Sequence, residues 1–445
     1  MKKLTFFICL FIHYSTLSAQ IDVGGMVKRK VDQRIEQKTE EAIDKTLDET
    51  ERGVKESAKG NKNSQKSKDG TKNSGGENDT ESENTTVKSA GNAASAAGSS
   101  LKSYSKFDFI PGDKVLIEDK FEQVAVGDFP ADWNTNASAE IVTVEGREGK
   151  WLKIAKSGVF MPDYITDLPE NFTLQMDVLV NESFSYYGSS LMLSFVKAQN
   201  RQKLGDFGVY SGHPNGVRLS LHPTDAGNQS GTVRVETWAE DESVLIDNTV
   251  NANQFHSDKV PYARLSIWRQ KQRLRVYLNE EKVLDLPRAF VNGINYDALA
   301  ITSGDQNETD QYLITNLRLA VGAPDTRNKL ITEGKFSTTG ILFDVNSDKI
   351  KPESYGTLKE IATVLKENAD VKVKIIGHTD SDGSDENNLA LSKKRAASVK
   401  DALQKEFAID TSRLQTDGKG ESEPADKSGT PGAKANNRRV EFVKL

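Results

Sequence analysis

The chain has 445 residues, room for two or three domains, and its low mean hydropathy of −0.57 implies folded parts diluted by a solvated stretch. A formal charge of −6 leaves no basic excess to hold a nucleic acid backbone, which argues against that partner. The one cysteine, Cys9, falls in the first apolar run, so thiolate metal sites and disulfides are not expected in the mature chain.

Residues 1–19 read as an export signal. Lys2 and Lys3 precede an apolar run over 4–12, then come the small residues Ser15, Thr16, Ser18 and Ala19. Cleavage is expected after Ala19, although Leu17 stands where a small residue is preferred. The run falls short of the ~20 residues of a spanning helix, which argues against a retained anchor. Cys9 lies too early to be the lipid-modified residue of a lipoprotein.

Residues 20–58 are rich in Lys, Glu, Gln and Asp, with Val27, Val31, Ile35, Ile43 and Leu47 at multiples of four. That spacing predicts a solvated helix with a narrow apolar stripe, through which self-association or partner binding stays open. Residues 59–104 carry almost nothing to bury and are expected to be a disordered linker.

Over 105–322 the pattern becomes short alternating runs separated by Gly, Pro, Asn and Asp. Strands are expected at 140–144, 151–154, 172–180, 191–196, 233–238, 263–268, 274–278 and 312–319, which suggests an antiparallel β-sandwich. The phrases EDKFEQVAVGDFPADW, GKWLKI, LPENFTLQMDV, RLRVYLNEEKVLD and YLITNLRLA resemble the concanavalin A-like jelly rolls of lectins and glycan-active enzymes. The resemblance implies a fold and no site, so a glycan ligand, a protein ligand and a plain spacer all stay open. A transmembrane barrel would need apolar outward faces, which RQKQRLRVYLNEEK lacks.

No enzyme is expected. His213, His222, His256 and His378 lack paired metal spacing, and no nucleophile elbow or Walker loop occurs. The dense acidic patch Glu236, Glu240, Asp241 and Glu242 around Trp238 could flank a glycosidic bond, but it reads better as a solvated turn.

After a connector (323–335), residues 336–445 read as an α/β sandwich of βαβαβ type on one sheet. A first strand is expected at 340–345, then a helix with Leu358, Ile361, Ala362 and Leu365 on one face. A second strand carries Val371, Val373, Ile375 and Gly377, with Ile376 on its other face. A long helix over 386–406 buries Leu391, Ala396, Val399 and Leu403. Strands at 413–416 and 439–443 complete the sheet.

Four fragments here, ILFDVNSDKIKPES, VKVKIIGHTDSDGSDENNLALSKKRAASVKDAL, RLQTDGKGESEPA and ANNRRVEF, resemble the OmpA-like C-terminal domain in order and spacing. That resemblance implies non-covalent binding of peptidoglycan through the diaminopimelate of its stem peptide, with no cofactor and no metal. It also implies that Asp380 takes the ligand ammonium and Arg395 forks the carboxylate, a task that suits a planar guanidinium. Asn388, Leu391, Phe343, Asp344, Asn437, Arg438 and Arg439 come with the motif as supporting residues. From the residues alone, Asp380 is an ordinary helix cap, Arg395 an ordinary surface arginine and His378 a packing residue. The chain is then an exported protein of the periplasm, associated with the cell wall and the outer membrane. The alternative is a glycan-active or glycan-binding jelly roll that the terminal domain delivers to the wall.

Overall fold

The computed structural model describes residues 107–154, 156–304, 310–322 and 325–445. The expected signal (1–19), amphipathic stretch (20–58) and linker (59–104) lie outside the described residues.

The middle of the chain runs as β1 (Lys114–Asp119), β2 (Trp133–Thr135), β3 (Ala139–Val142), β4 (Trp151–Ile154), β5 (Gly158–Pro162), β6 (Asn171–Val180), β7 (Leu191–Val196) and β8 (Val217–His222). It continues as β9 (Gly231–Trp238), β10 (Val244–Ala252), β11 (Tyr262–Gln270), β12 (Arg273–Leu278), β13 (Glu281–Leu286), β14 (Ala298–Ser303) and β15 (Tyr312–Val321). One sheet has the order β13-β12-β11-β6-β15-β4-β3, with β1 added on β15; the other has the order β10-β9-β8-β7-β14-β5-β2. Pairing within both is antiparallel, and one apolar core lies between them.

The expected strands occur with shifted ends, and seven more appear beside them: β1, β2, β5, β8, β10, β13 and β14. Of these, β8 alternates Val217, Leu219 and Leu221 with Arg218, Ser220 and His222, whereas β5 and β14 are near-continuous buried runs. β14 is buried on both faces, and β10 is a largely exposed edge.

β6 shows what alternation accomplishes. Phe172, Leu174, Met176 and Val178 enter the core. Thr173, Gln175 and Asp177 point the other way and are buried as well, so each needs a polar partner. Thr173 accepts from the Gly112 N–H at 3.0 Å, Gln175 bonds Ser266 and Arg318, and Asp177 accepts from Arg264 at 2.8 Å. The terminal domain covers part of this polar face, and Arg318 crosses to it by donating to Thr339 at 2.8 Å.

The terminal domain runs β16 (Lys335–Thr338), α1 (Tyr355–Glu367), β17 (Val373–His378), α2 (Asp385–Phe407), β18 (Leu414–Gly420), α3 (Pro431–Asn437) and β19 (Val440–Lys444). Its sheet order is β16-β19-β17-β18, with β17 and β18 parallel across the α2 crossover and the other pairs antiparallel. Leu358, Ile361, Ala362 and Leu365 on α1 and Ala396, Val399 and Leu403 on α2 are buried against it.

Three expectations are corrected. The first strand is β16, not 340–345; that stretch is a loop closed by a bridge between Phe343 and Ile350. Gly340 turns so close to its neighbours that a Cβ there would lie 2.6 Å from Thr357 Oγ1, and Asn346 takes a φ of +50°. The βαβαβ scheme gains the short helix α3. Leu391 is only half-buried rather than a core residue of α2.

The sandwich and terminal domain are packed together. Phe107 and Phe109 cluster with Tyr277 and meet Tyr355. Asn436 exchanges hydrogen bonds with the backbone of Val115, accepting at 2.9 Å and donating at 2.8 Å. Gly377 lets α2 press onto β17, because a Cβ there would lie 2.2 Å from the Ser392 carbonyl oxygen. Gly377→Ala should therefore destabilise the terminal domain by about 1–3 kcal/mol, read as a lower urea midpoint. An unchanged midpoint would show that α2 is free to move away.

Candidate functional site

The end of β17 leads through His378 and Thr379 to Asp380, and a tight loop then starts α2. Gly383, at a φ of +104°, makes the turn, and Ser384 caps the helix by accepting from the Asn387 N–H at 3.3 Å. Asn388 is buried beneath this loop and donates to the carbonyls of Asp380 and Asp382 at 3.3 and 3.1 Å, and to the Glu421 carboxylate. Its amide is thus committed to holding the loop that carries Asp380.

Arg395 lies two turns further along α2. Its Nε donates to the Ser347 carbonyl at 3.0 Å, and its guanidinium stands over the Phe343 ring at 4.9 Å. Among the described residues its two terminal nitrogens bond no acceptor. Burial pulls its pKa below the ordinary value, with the nearby Asp380 charge opposing that shift. The result is a half-buried cation in need of a counter-anion.

Asp380 does not bond Arg395. Arg438, directly after α3, donates through Nη1 to Asp380 Oδ2 at 2.6 Å and through Nη2 to Glu118 on β1. Glu118 and Asp380 are 14% and 13% exposed, so both ends of this bridge are largely out of water. Burial works against the Arg438 charge, but Glu118 and Asp380 outweigh it and hold the pKa above the usual arginine value. The Glu118 carboxyl is pushed up by burial, yet Arg438, Lys120 and Arg318 bring it below its ordinary value. Asp380 keeps unused acceptor capacity, since a carboxylate offers about four lone-pair sites.

The other expected residues divide between the site and the frame. Phe343 forms the platform under Arg395. Asp344 is 42% exposed and pairs with Lys349 at 3.3 Å. Leu391 is half-buried on α2. Asn437 is buried and bonds the Asp426 backbone at both amide atoms, at 2.9 and 2.8 Å. Arg439 is held by Glu441 at 2.8 Å and by the Glu423 carbonyl at 3.0 Å. His378 is buried with Nε2 3.6 Å from Glu441, too long for a hydrogen bond. Reasoning from sequence missed Glu118, which lies 320 positions from Arg438 and carries no local signal.

Arg395 and Arg438 line a cleft of 680 Å³ between the terminal domain and the sandwich. Among the described residues no cluster of His, Cys, Asp and Glu could hold a metal ion, and no helix is long and apolar enough to cross a membrane. The acidic patch near Trp238 is a turn: Asp241 accepts from Ser243, Glu242 has a φ of +63°, and Glu236 pairs with Arg234 at 3.0 Å.

Comparison with known proteins places the site in a family, since residues 342–438 match the OmpA family model. These residues form an OmpA family domain. Over 101 residues the chain is 38% identical to outer membrane porin F of Pseudomonas aeruginosa, covering 23% of this chain and 29% of that protein. Over 103 residues it is 43% identical to the probable lipoprotein YiaD of Escherichia coli, covering 23% of this chain and 47% of that one. The match thus spans less than half the length of either relative. Among solved structures, the peptidoglycan-associated lipoprotein from Burkholderia pseudomallei is 26% identical, with 27% of this chain and 98% of that chain covered and a TM-score of 0.24.

The bridge on the OmpA family domain gives a pH signature. A carboxylate lowered in the folded state stabilises above its unfolded pKa and loses that contribution as the pH falls through its folded value. Glu118→Gln should therefore melt lower than the unsubstituted chain near about pH 7, with the gap closing by about pH 3. A gap independent of pH would contradict the bridge.

Proposed function

We propose that the OmpA family domain binds peptidoglycan non-covalently and anchors an exported protein to the cell wall of the bacterial envelope. The observation that carries this reading is the Arg395 guanidinium, whose terminal nitrogens bond no acceptor among the described residues, held beside the carboxylate of Asp380. A cation and an anion fixed in one site match a zwitterion, and the diaminopimelate side chain ends in an ammonium and a carboxylate on one carbon. Asp380 would take the ammonium and Arg395 the carboxylate, with the Phe343 ring supporting the planar guanidinium from below. Asn388 would act through the loop, and Arg438 through Asp380. Asp344, Leu391, Asn437 and Arg439 belong to the frame. The matched relatives named as an outer membrane porin and a probable lipoprotein agree with an envelope location.

The test is sedimentation of the full chain with purified peptidoglycan. Asp380→Ala and Arg395→Ala should each weaken binding roughly 10- to 100-fold, the usual worth of a charge-assisted hydrogen bond. Wild-type sedimentation of both variants would refute the reading.

A second reading concerns the sandwich, which we take as a concanavalin A-like jelly roll with a glycan-binding face. Tyr210 is 97% exposed at a 290 Å³ groove lined by Arg218, Arg234 and Glu236. Tyr186 and Tyr187 are exposed as well, edge to face at 5.5 Å, with Tyr186 against His222. Exposed rings beside charged acceptors and donors suit sugar faces and hydroxyls. In a polysaccharide-binding panel, Tyr210→Ala and Tyr187→Ala should lose any retention the full chain shows; retention unaffected by both would exclude this face.

A further inference from the structure

The cleft beside Arg395 has two walls, and only one belongs to the OmpA family domain. Phe343, Arg395, Arg438 and Arg439 form that wall; Glu118, Arg147, Trp151 and Tyr262 of the sandwich form the other. The two are joined at the Arg438 bridge, so a ligand seated on Arg395 borders a space the sandwich helps to enclose.

Two features of this space point to an anionic ligand rich in acceptors. First, buried donors lining it have no acceptor among the described residues. The indole Nε1 of Trp151, a residue only 3% exposed, is one, and Nη1 of Arg439 is another. Interiors rarely leave such N–H groups unpaired. Second, Arg147 sits on an exposed turn with its guanidinium over the Tyr262 ring at 4.7 Å, and among the described residues no carboxylate pairs with it. Together with Arg395 it puts at one cleft two cations that form no ion pair among the described residues.

We propose that the sandwich supplies the second half of the ligand site, binding the acidic peptide that continues from the diaminopimelate end. This rests on the peptidoglycan reading of Asp380 and Arg395. In the stem peptide the residue before diaminopimelate is a glutamate with a free carboxylate, flanked by amide carbonyls. Arg147 meets the carboxylate, and Trp151 donates its Nε1–H to a carbonyl or carboxylate oxygen. Glu118 keeps Arg438 on Asp380 and thereby holds the two walls together. The sandwich is then part of the receptor, not a passenger.

Two probes of different reach separate this from a structural role. Free meso-diaminopimelate reaches only the Asp380 and Arg395 end; the tripeptide alanyl-γ-glutamyl-diaminopimelate extends along the sandwich wall. Affinities of the full chain for both are measured by calorimetry, for wild type, Arg147→Ala, Trp151→Phe and Arg395→Ala. The composite site requires that Arg147→Ala and Trp151→Phe lower the tripeptide-to-diaminopimelate affinity ratio by about 3- to 10-fold. Arg395→Ala should lose both ligands. Should Trp151→Phe fail to fold, Arg147→Ala on its exposed turn decides alone. An unchanged ratio overturns the composite site, and so does equal weakening of both probes; if Arg395→Ala still loses both ligands, the peptidoglycan reading stands. Failure of wild type to bind either probe overturns both.

Discussion

The arrangement depends on one guanidinium. Arg438 holds Asp380 with one terminal nitrogen and Glu118 with the other, so a single cation fixes the loop after β17 and the first strand of the sandwich. Its surroundings are partly desolvated, which strengthens each charge interaction and makes loss of either partner costly. Asn436, two residues earlier, bonds the Val115 backbone and sets the register of the same contact. Arg318 adds a third crossing point through Thr339, although burial pulls its own pKa down to about 10.

Two arginines of the terminal domain therefore differ in role because they differ in satisfaction. Arg438 has carboxylates at both ends, and its protonation is reinforced by them. Arg395 has one backbone carbonyl and an aromatic platform, and burial weakens its hold on the proton. A fully paired cation is a structural bolt, whereas a half-paired one retains free energy for an incoming anion. Asp380 would combine both roles on the proposed reading, since one oxygen carries the bolt while the group keeps acceptor capacity.

Much of the terminal domain was legible because its pattern is local. Leu358, Ile361, Ala362 and Leu365 mark a helix face, and the GHTD and SKKRA segments mark the loop and helix that hold Asp380 and Arg395. The first strand was misplaced because the apolar stretch 340–345 looks like a strand, while Gly340 and Asn346 bend it into a loop. The sandwich was legible mainly where alternation survives, although the alternating strand β8 was not among those expected. β6 alternates in chemistry but is buried on both sides, and the partners that satisfy Thr173, Gln175 and Asp177 come from Gly112, Ser266, Arg264 and Arg318. Glu118 was illegible for the same reason: a lone glutamate on a charged edge strand means nothing until Arg438 arrives from the far end of the chain. Spacing along a sequence reports faces of elements, not the meeting of domains.

The central claim is that Asp380 and Arg395 receive the two ends of one zwitterion. A crystal structure of the full chain soaked with a diaminopimelate-containing tripeptide tests it most directly. The account predicts the ligand ammonium on the Asp380 carboxylate and its carboxylate on the terminal nitrogens of Arg395, with Arg438 still on Glu118. A peptide bound elsewhere with Arg395 unoccupied, or one bound in the reverse sense, would contradict it.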